Sequence, residues 1–221
     1  MGDTLERATG IALTVCAITI TGIFAYRSLV VTRRPPGASR EQAPVGFVDD
    51  WREAADIGFA LGGPDSGGVT ILELTDLECP ACRGFHETVE EILSERTDVQ
   101  LIYVPHPLSY HRFAMPAPRA AECAYDIGAL QRWISVVFSE QDSLGLKSWG
   151  QLAEEAGIAD TAQIALCARQ AGVTPRIQAG LDFGSRIGMA GTPTVLINGW
   201  QFEGVPSRGQ LNSAIRKVLR G

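Results

Sequence analysis

"ILELTDLECPACRGFH", residues 71–86, joins two kinds of periodicity at a pair of cysteines. Its first part extends the Gly-bounded run "SGGVTILELTD", rich in Val, Ile, Leu and Thr, and predicts a strand over roughly residues 68 to 75. Its second part opens "CPACRGFHETVEEILSERT", with apolar residues at Phe85, Val89, Ile92 and Leu93, a helical spacing. Pro80 fits the first turn of that helix, where its missing N–H costs nothing. Cys79 and Cys82 therefore fall at the strand-to-helix junction. Free N–H groups and partial positive charge at a helix start favour a thiolate on Cys79. Cys82, one turn further in, is suited to attack a mixed disulfide. Side chains alternate along a strand, so Glu73 points away from Leu72 and Leu74. In a strand this apolar, burial would raise its pKa and let it exchange a proton with a thiol; the alternative is a solvated face.

Outward from this junction, a short helix is expected at "DDWREAADIG", capped by Asp49 or Asp50, and a second strand at "DVQLIYVPHP". From about Arg112 to Gly188 every signal is helical. "PTVLING" and "WQFEGV" read as a hairpin turning at Asn198-Gly199, and a last helix starts from Ser207. In "MAGTPTVLING", Thr192-Pro193 immediately precedes a strand and is a candidate cis peptide. Such a proline beside a C-x-x-C would leave the preceding backbone free to pair with an extended peptide.

The chain has 221 residues, 45% of them apolar and 20% charged, which are globular values. A net charge of −6, with no Lys/Arg cluster on the folded part, argues against nucleic acid as a partner. The N-terminal stretch "GIALTVCAITITGIFAYRSLVV" has no polar face and precedes a basic, Pro-rich linker. It is expected to be one uncleaved membrane helix within residues 1–32, followed by a linker over 33–44 and a folded domain over 45–221. Cys16 reads as a lipid-facing apolar residue. Arg27, Arg33, Arg34 and Arg40 follow the helix and only Arg7 precedes it, so the positive-inside bias favours a cytoplasmic domain.

Cys123 and Cys167 fall on separate helices of the helical block, either as a structural disulfide or as two small buried residues. A bond there would contribute roughly 3–4 kcal/mol by chain entropy. His86, His106 and His111 form no familiar zinc spacing with Cys79 and Cys82, and no metal is expected. The acidic run "ETVEEILSE" reads as the solvated face of its helix, and Trp133 as core rather than a substrate groove.

"ILELTDLECPACRGFH", followed much later by "GTPTVLING", resembles the DsbA-like thiol–disulfide oxidoreductases. The likeness runs from about Val45 to the C-terminus. "PLSYHRFAMPAPRAAECA" is similar to the start of that family's helical insertion. The resemblance implies an α/β thioredoxin fold with an all-helical subdomain inserted over about 112–188, preceded here by one transmembrane helix. It implies Cys79 as attacking thiol, Cys82 as resolving thiol and Glu73 as buried acid. Thr192 and Pro193 would form the cis-proline loop and, with Pro80 and Ala81, meet the substrate. Ala81 departs from the strongest oxidants of the family, which carry His there; the disulfide should be a milder oxidant. No dissociable cofactor is needed, because the dithiol is the redox centre.

These readings converge on a membrane-anchored enzyme that forms, reduces or exchanges disulfides in cysteine-containing proteins and is recycled by a separate redox partner. A monomer is expected. Redox chemistry suits an oxidising compartment, and large domains translocate largely regardless of flanking charge. The domain is therefore expected on the extracytoplasmic, periplasmic side. The alternatives are a non-catalytic peptide-binding module on the same fold and a cytoplasm-facing reductase.

Overall fold

The computed structural model of the chain describes residues 44–62, 68–202 and 204–220, with Gly22 and Tyr26 in isolation. The expected membrane helix and most of the linker lie outside the described residues. Among the described residues, no helix is long and apolar enough to cross a membrane. The chain divides into two compact units, Met1–Glu41 and Gln42–Gly221, and the second holds the sheet and the helices packed on it.

Among the described residues six strands form one sheet: β1 (Pro44–Phe47), β2 (Phe59–Leu61), β3 (Val69–Thr75), β4 (Val99–Pro105), β5 (Thr194–Ile197) and β6 (Trp200–Phe202), in the order β1-β6-β5-β3-β4-β2. β3 and β4 run parallel; the other neighbouring pairs are antiparallel. The parallel pair needs a crossover, and α2 (Pro80–Glu95) supplies it. The β5–β6 hairpin turns at Asn198 and Gly199, both at positive φ. Asn and Gly are the residues that tolerate that conformation. Asn198 also accepts the Thr70 N–H through Oδ1 at 2.7 Å, tying the turn to β3.

Alternation along β3 and β4 divides the interior into two layers. Leu72, Leu74, Ile102 and Val104 pack with Trp51 and Ala54 of α1 (Trp51–Ile57) and Phe183 of α7 (Pro175–Arg186). Ile71, Leu101 and Tyr103 face the opposite way, against Phe85, Val89 and Ile92 of α2 and Leu211 and Ile215 of α8 (Arg208–Arg220). The same layer continues into the helical subdomain: α3 (Pro116–Asp126), α4 (Leu130–Ser139), α5 (Trp149–Glu155) and α6 (Thr161–Arg169). The fully buried Trp133 is part of this core. Although sequence places α7 in the same helical run, it crosses to the other face and abuts β4. A Cβ at Gly180 would stand 2.1 Å from the Pro105 carbonyl oxygen, so only glycine permits that approach.

Cys123 of α3 and Cys167 of α6 are joined by a disulfide across a separation of 44 residues. Closing a loop of that size stabilises the domain by roughly 4 kcal/mol in the chain-entropy picture. One expectation needs correcting: Asp50 precedes α1 but its side chain makes no capping hydrogen bond. The acidic face of α2 is solvent-exposed as expected, and there Glu91 and Glu95 pair with Arg208 of α8 while Glu90 accepts from Ser135 of α4.

Candidate active site

β3 ends at Thr75, and the Asp76–Glu78 turn delivers Cys79 to the start of α2. Cys79 is the N-cap, in extended conformation, and Pro80 is the first helical residue. Cys79 and Cys82 are thiols, 7% and 0% exposed, flanked by the exposed Pro80 and Ala81. The Cys79 thiol donates to the Thr192 carbonyl oxygen at 3.4 Å, across 113 residues of sequence. The Thr192–Pro193 peptide bond is cis. Thr192 Oγ1 is buried, has no hydrogen-bond partner among the described residues and is available to the same sulfur.

The two sulfurs differ in acidity. The Cys82 thiol beside it lowers the Cys79 pKa to about 5; burial opposes this, while Thr192 and the backbone N–H groups of Cys82 and Ala81 assist. Cys82 is pushed far above the ordinary thiol range, first by burial and then by its interaction with Cys79 and the charge of Glu73. Glu73, 1% exposed, is raised to about 8 by burial, the Cys79 thiolate adding to the effect and the nearby Thr75 hydroxyl opposing it. At neutral pH the resting dithiol therefore holds a thiolate at Cys79, a thiol at Cys82 and a largely protonated Glu73. Alkylation of Cys79 should rise through a midpoint near 5 and level off by neutral pH. The sign carries over to stability. With the folded pKa below the free value, the reduced state's gain is complete above about 9 and vanishes as pH falls through about 5. A midpoint at the free-thiol value of about 8.5 would remove the electrostatic argument.

Three neighbours escape the sequence reading as parts of this site. Gln141, in the 3₁₀ turn after α4, is buried and donates from Nε2 to the carbonyl oxygens of Leu77 and Cys79, at 2.9 and 3.0 Å. Asp76 is buried and accepts from the Glu78 N–H, the Leu108 N–H and His111 Nδ1, at 2.8, 2.8 and 2.9 Å. Glu78 accepts from the Phe113 N–H. Together these carboxylates fasten the 106–113 loop to the turn that carries Cys79. His86 lies elsewhere, stacked on Phe138 and beside Glu90, with its pKa lowered by burial. His106 approaches the Gly180 carbonyl.

A groove of about 450 Å³ runs alongside the Thr192–Pro193 loop, lined by Val45, Ala190, Gly191, Gln201 and Val205 among others. It brings backbone of β1 and the loop before β5 to the neighbourhood of the Cys79 contact.

The family model described as "Thioredoxin" matches residues 57–217. The chain belongs to the thioredoxin family. Similar solved structures include a thioredoxin-like oxidoreductase from Silicibacter pomeroyi DSS-3, with 24% identity, a TM-score of 0.64 and coverage of 76% of this chain and 96% of that one. Oxidised BdbD from Bacillus subtilis aligns at 18% identity and a TM-score of 0.65, covering 81% of this chain and all of the other. At these identities the likeness carries the fold, which is the one shared with DsbA-type proteins. Among curated proteins, the Na(+)/H(+) antiporter NhaA 1 of Salinispora arenicola is 29% identical over 161 residues, 72% of this chain but 24% of the antiporter. The chain thus spans about a quarter of the length of the curated relatives it matches.

Proposed function

We propose that this protein is a membrane-anchored thiol–disulfide oxidoreductase acting on cysteine-containing proteins outside the cytoplasm. The observation that carries the chemistry is the placement of two free cysteines at a helix start, Cys79 as the N-cap with its sulfur 3.4 Å from the Thr192 carbonyl oxygen and Cys82 fully buried one turn on; the opposed shifts of their acidities follow from it. In the reducing direction, the Cys79 thiolate attacks a substrate disulfide. One substrate sulfur leaves as thiolate and the other remains bonded to Cys79. Glu73, largely protonated in the resting site, first gives up its proton to solvent; its carboxylate then takes the proton of Cys82, whose sulfur attacks Cys79 Sγ. The Cys79–Cys82 disulfide closes and the second substrate thiolate departs. Oxidation of a substrate is the same sequence reversed, and a separate redox partner must restore the starting state.

A thiolate as acidic as Cys79 stabilises the reduced form, which makes the disulfide oxidising. Ala81 adds no charge to that stabilisation. We expect a reduction potential above the roughly −270 mV of thioredoxin and below the roughly −120 mV of the strongest oxidants. A value at or below −270 mV would make the protein a reductase. No redox equilibrium at all would leave a module that only holds peptides in the groove beside Pro193.

Anchoring rests on the apolar stretch within residues 10–31, and sidedness on redox chemistry against the arginine excess that follows it. Protease added to intact spheroplasts should digest the domain. Protection until the membrane is lysed would reverse the topology and favour a cytoplasm-facing reductase.

A further inference from the structure

Glu73 has a neighbour in its layer that the exchange steps leave unused. In the parallel β3–β4 pair, Glu73 stands opposite Tyr103. Residues opposite each other in such a pair lie on strands about 4.8 Å apart and send their side chains to one face. Leu72, Leu74, Ile102 and Val104 occupy the α1–α7 side. Glu73 and Tyr103 therefore share the side that carries Cys82 and Phe85. Both are 1% exposed, and Glu73 Oε1 and Tyr103 Oη are buried without a hydrogen-bond partner among the described residues. Leaving a buried polar atom unpaired is costly, and most so when it is charged. The protonated Glu73 of the resting dithiol tolerates this; the carboxylate that receives the Cys82 proton does not.

Tyr103 is the sort of donor that carboxylate needs. Phe59 of β2, paired with it in register, lies against its ring with centroids 5.9 Å apart. Burial, and then the charges of Asp76, Glu73, Cys82 and Glu122 around it, keep the phenol protonated far above neutral pH. Those four groups, from the 76–78 turn, β3, α2 and α3, are the titratable ones bearing on the hydroxyl, and each can only accept from it when ionised.

We propose that Tyr103 is a positioning residue for the exchange reaction, its hydroxyl donating to the ionised Glu73 carboxylate and so setting how readily that carboxylate takes the Cys82 proton. In the step concerned, the Cys82 S–H bond breaks and its proton passes to Glu73. The sulfur's electron pair forms the bond to Cys79 Sγ, and the substrate sulfur leaves with the pair of the broken S–S bond. Tyr103 keeps its own proton throughout.

The inference rests on the proposed exchange for its kinetic consequence, and its direct test needs no substrate. In the reduced full-length chain, the carboxyl ¹³C titration of Glu73 should move upward by about one pH unit in Tyr103→Phe, the shift expected from losing a hydrogen bond to a charged group. That shift lowers the ionised fraction at pH 7 about tenfold. Closure of the Cys79–Cys82 disulfide on a Cys79–glutathione mixed disulfide should slow by the same factor. In a Glu73→Gln background, Tyr103→Phe should add nothing. Phenylalanine keeps the ring and removes an oxygen that bonds nothing in the resting state, and near-UV circular dichroism checks that the packing is unchanged. An unmoved Glu73 midpoint, or equal slowing with and without Glu73, overturns the role. Absence of exchange with every protein substrate would defeat the proposed function and leave the titration result readable.

Discussion

Replacing Cys79 by serine is expected to reduce disulfide exchange to its uncatalysed background, a loss of about a thousandfold or more. The nucleophile is the thiolate, and at about 5 the Cys79 pKa lies well below neutral, so the wild-type site is almost fully ionised there. A serine hydroxyl at the same place stays protonated and can form no disulfide in either direction. The substitution should leave the fold intact. Apart from the side-chain contact with the Thr192 carbonyl, the hydrogen bonds at this residue belong to its backbone: the N–H donates to the Asp76 carbonyl at 3.0 Å, and the carbonyl accepts from Gln141 Nε2 and the Arg83 N–H, at 3.0 and 3.2 Å. Lost exchange in a protein that still folds cooperatively, with the unfolding midpoint of the reduced form lowered at neutral pH by the loss of the thiolate's contribution, is the expected pair of results. Retained exchange by a well-folded Cys79→Ser protein would end the enzyme reading and leave peptide holding as the better account.

Much of this site can be read in the sequence because its parts are local. The cysteines are three residues apart, Pro80 marks the helix start between them, and Glu73 follows from alternation along one strand. The Thr192–Pro193 motif is distant, yet Asn198-Gly199 announces the hairpin behind it. What is not legible depends on tertiary placement. Gln141 reaches the Cys79 carbonyl across 62 residues, and nothing about a lone Gln after a helix distinguishes it. The Asp76–His111 link needs the β4-to-α3 loop folded back onto the β3–α2 turn, and the importance of Tyr103 appears only once the β3–β4 register is known. The two edge strands escape for a different reason. β2 is three residues long, and β1 is exposed along all of its length, so neither leaves an alternation to detect. The crossing of α7 to the far face depends on Gly180, whose effect is visible only against the Pro105 carbonyl.

Replacing Cys82 by serine should have the opposite signature: not loss of attack but failure to finish it. Cys79 would still meet substrate, since its reactivity comes from the helix start, Thr192 and the backbone N–H groups as well as from Cys82. Losing the Cys82 thiol, the largest contribution to its acidity, should raise the Cys79 pKa above about 5. The mixed disulfide then lacks its internal nucleophile. Cys82 is fully buried behind Cys79, so no solvent thiol can take its place from that side, and release must await a second thiol arriving from outside. Covalent adducts between Cys82→Ser protein and cysteine-containing partners should accumulate, with lifetimes extended about a hundredfold or more at equal thiol concentration. They should run as discrete bands on non-reducing gels, collapse on reduction and be absent from the Cys79→Ser,Cys82→Ser protein. If Cys82→Ser yields no adduct and Cys79→Ser does, the two roles are exchanged. If neither does, the dithiol is not an exchange centre.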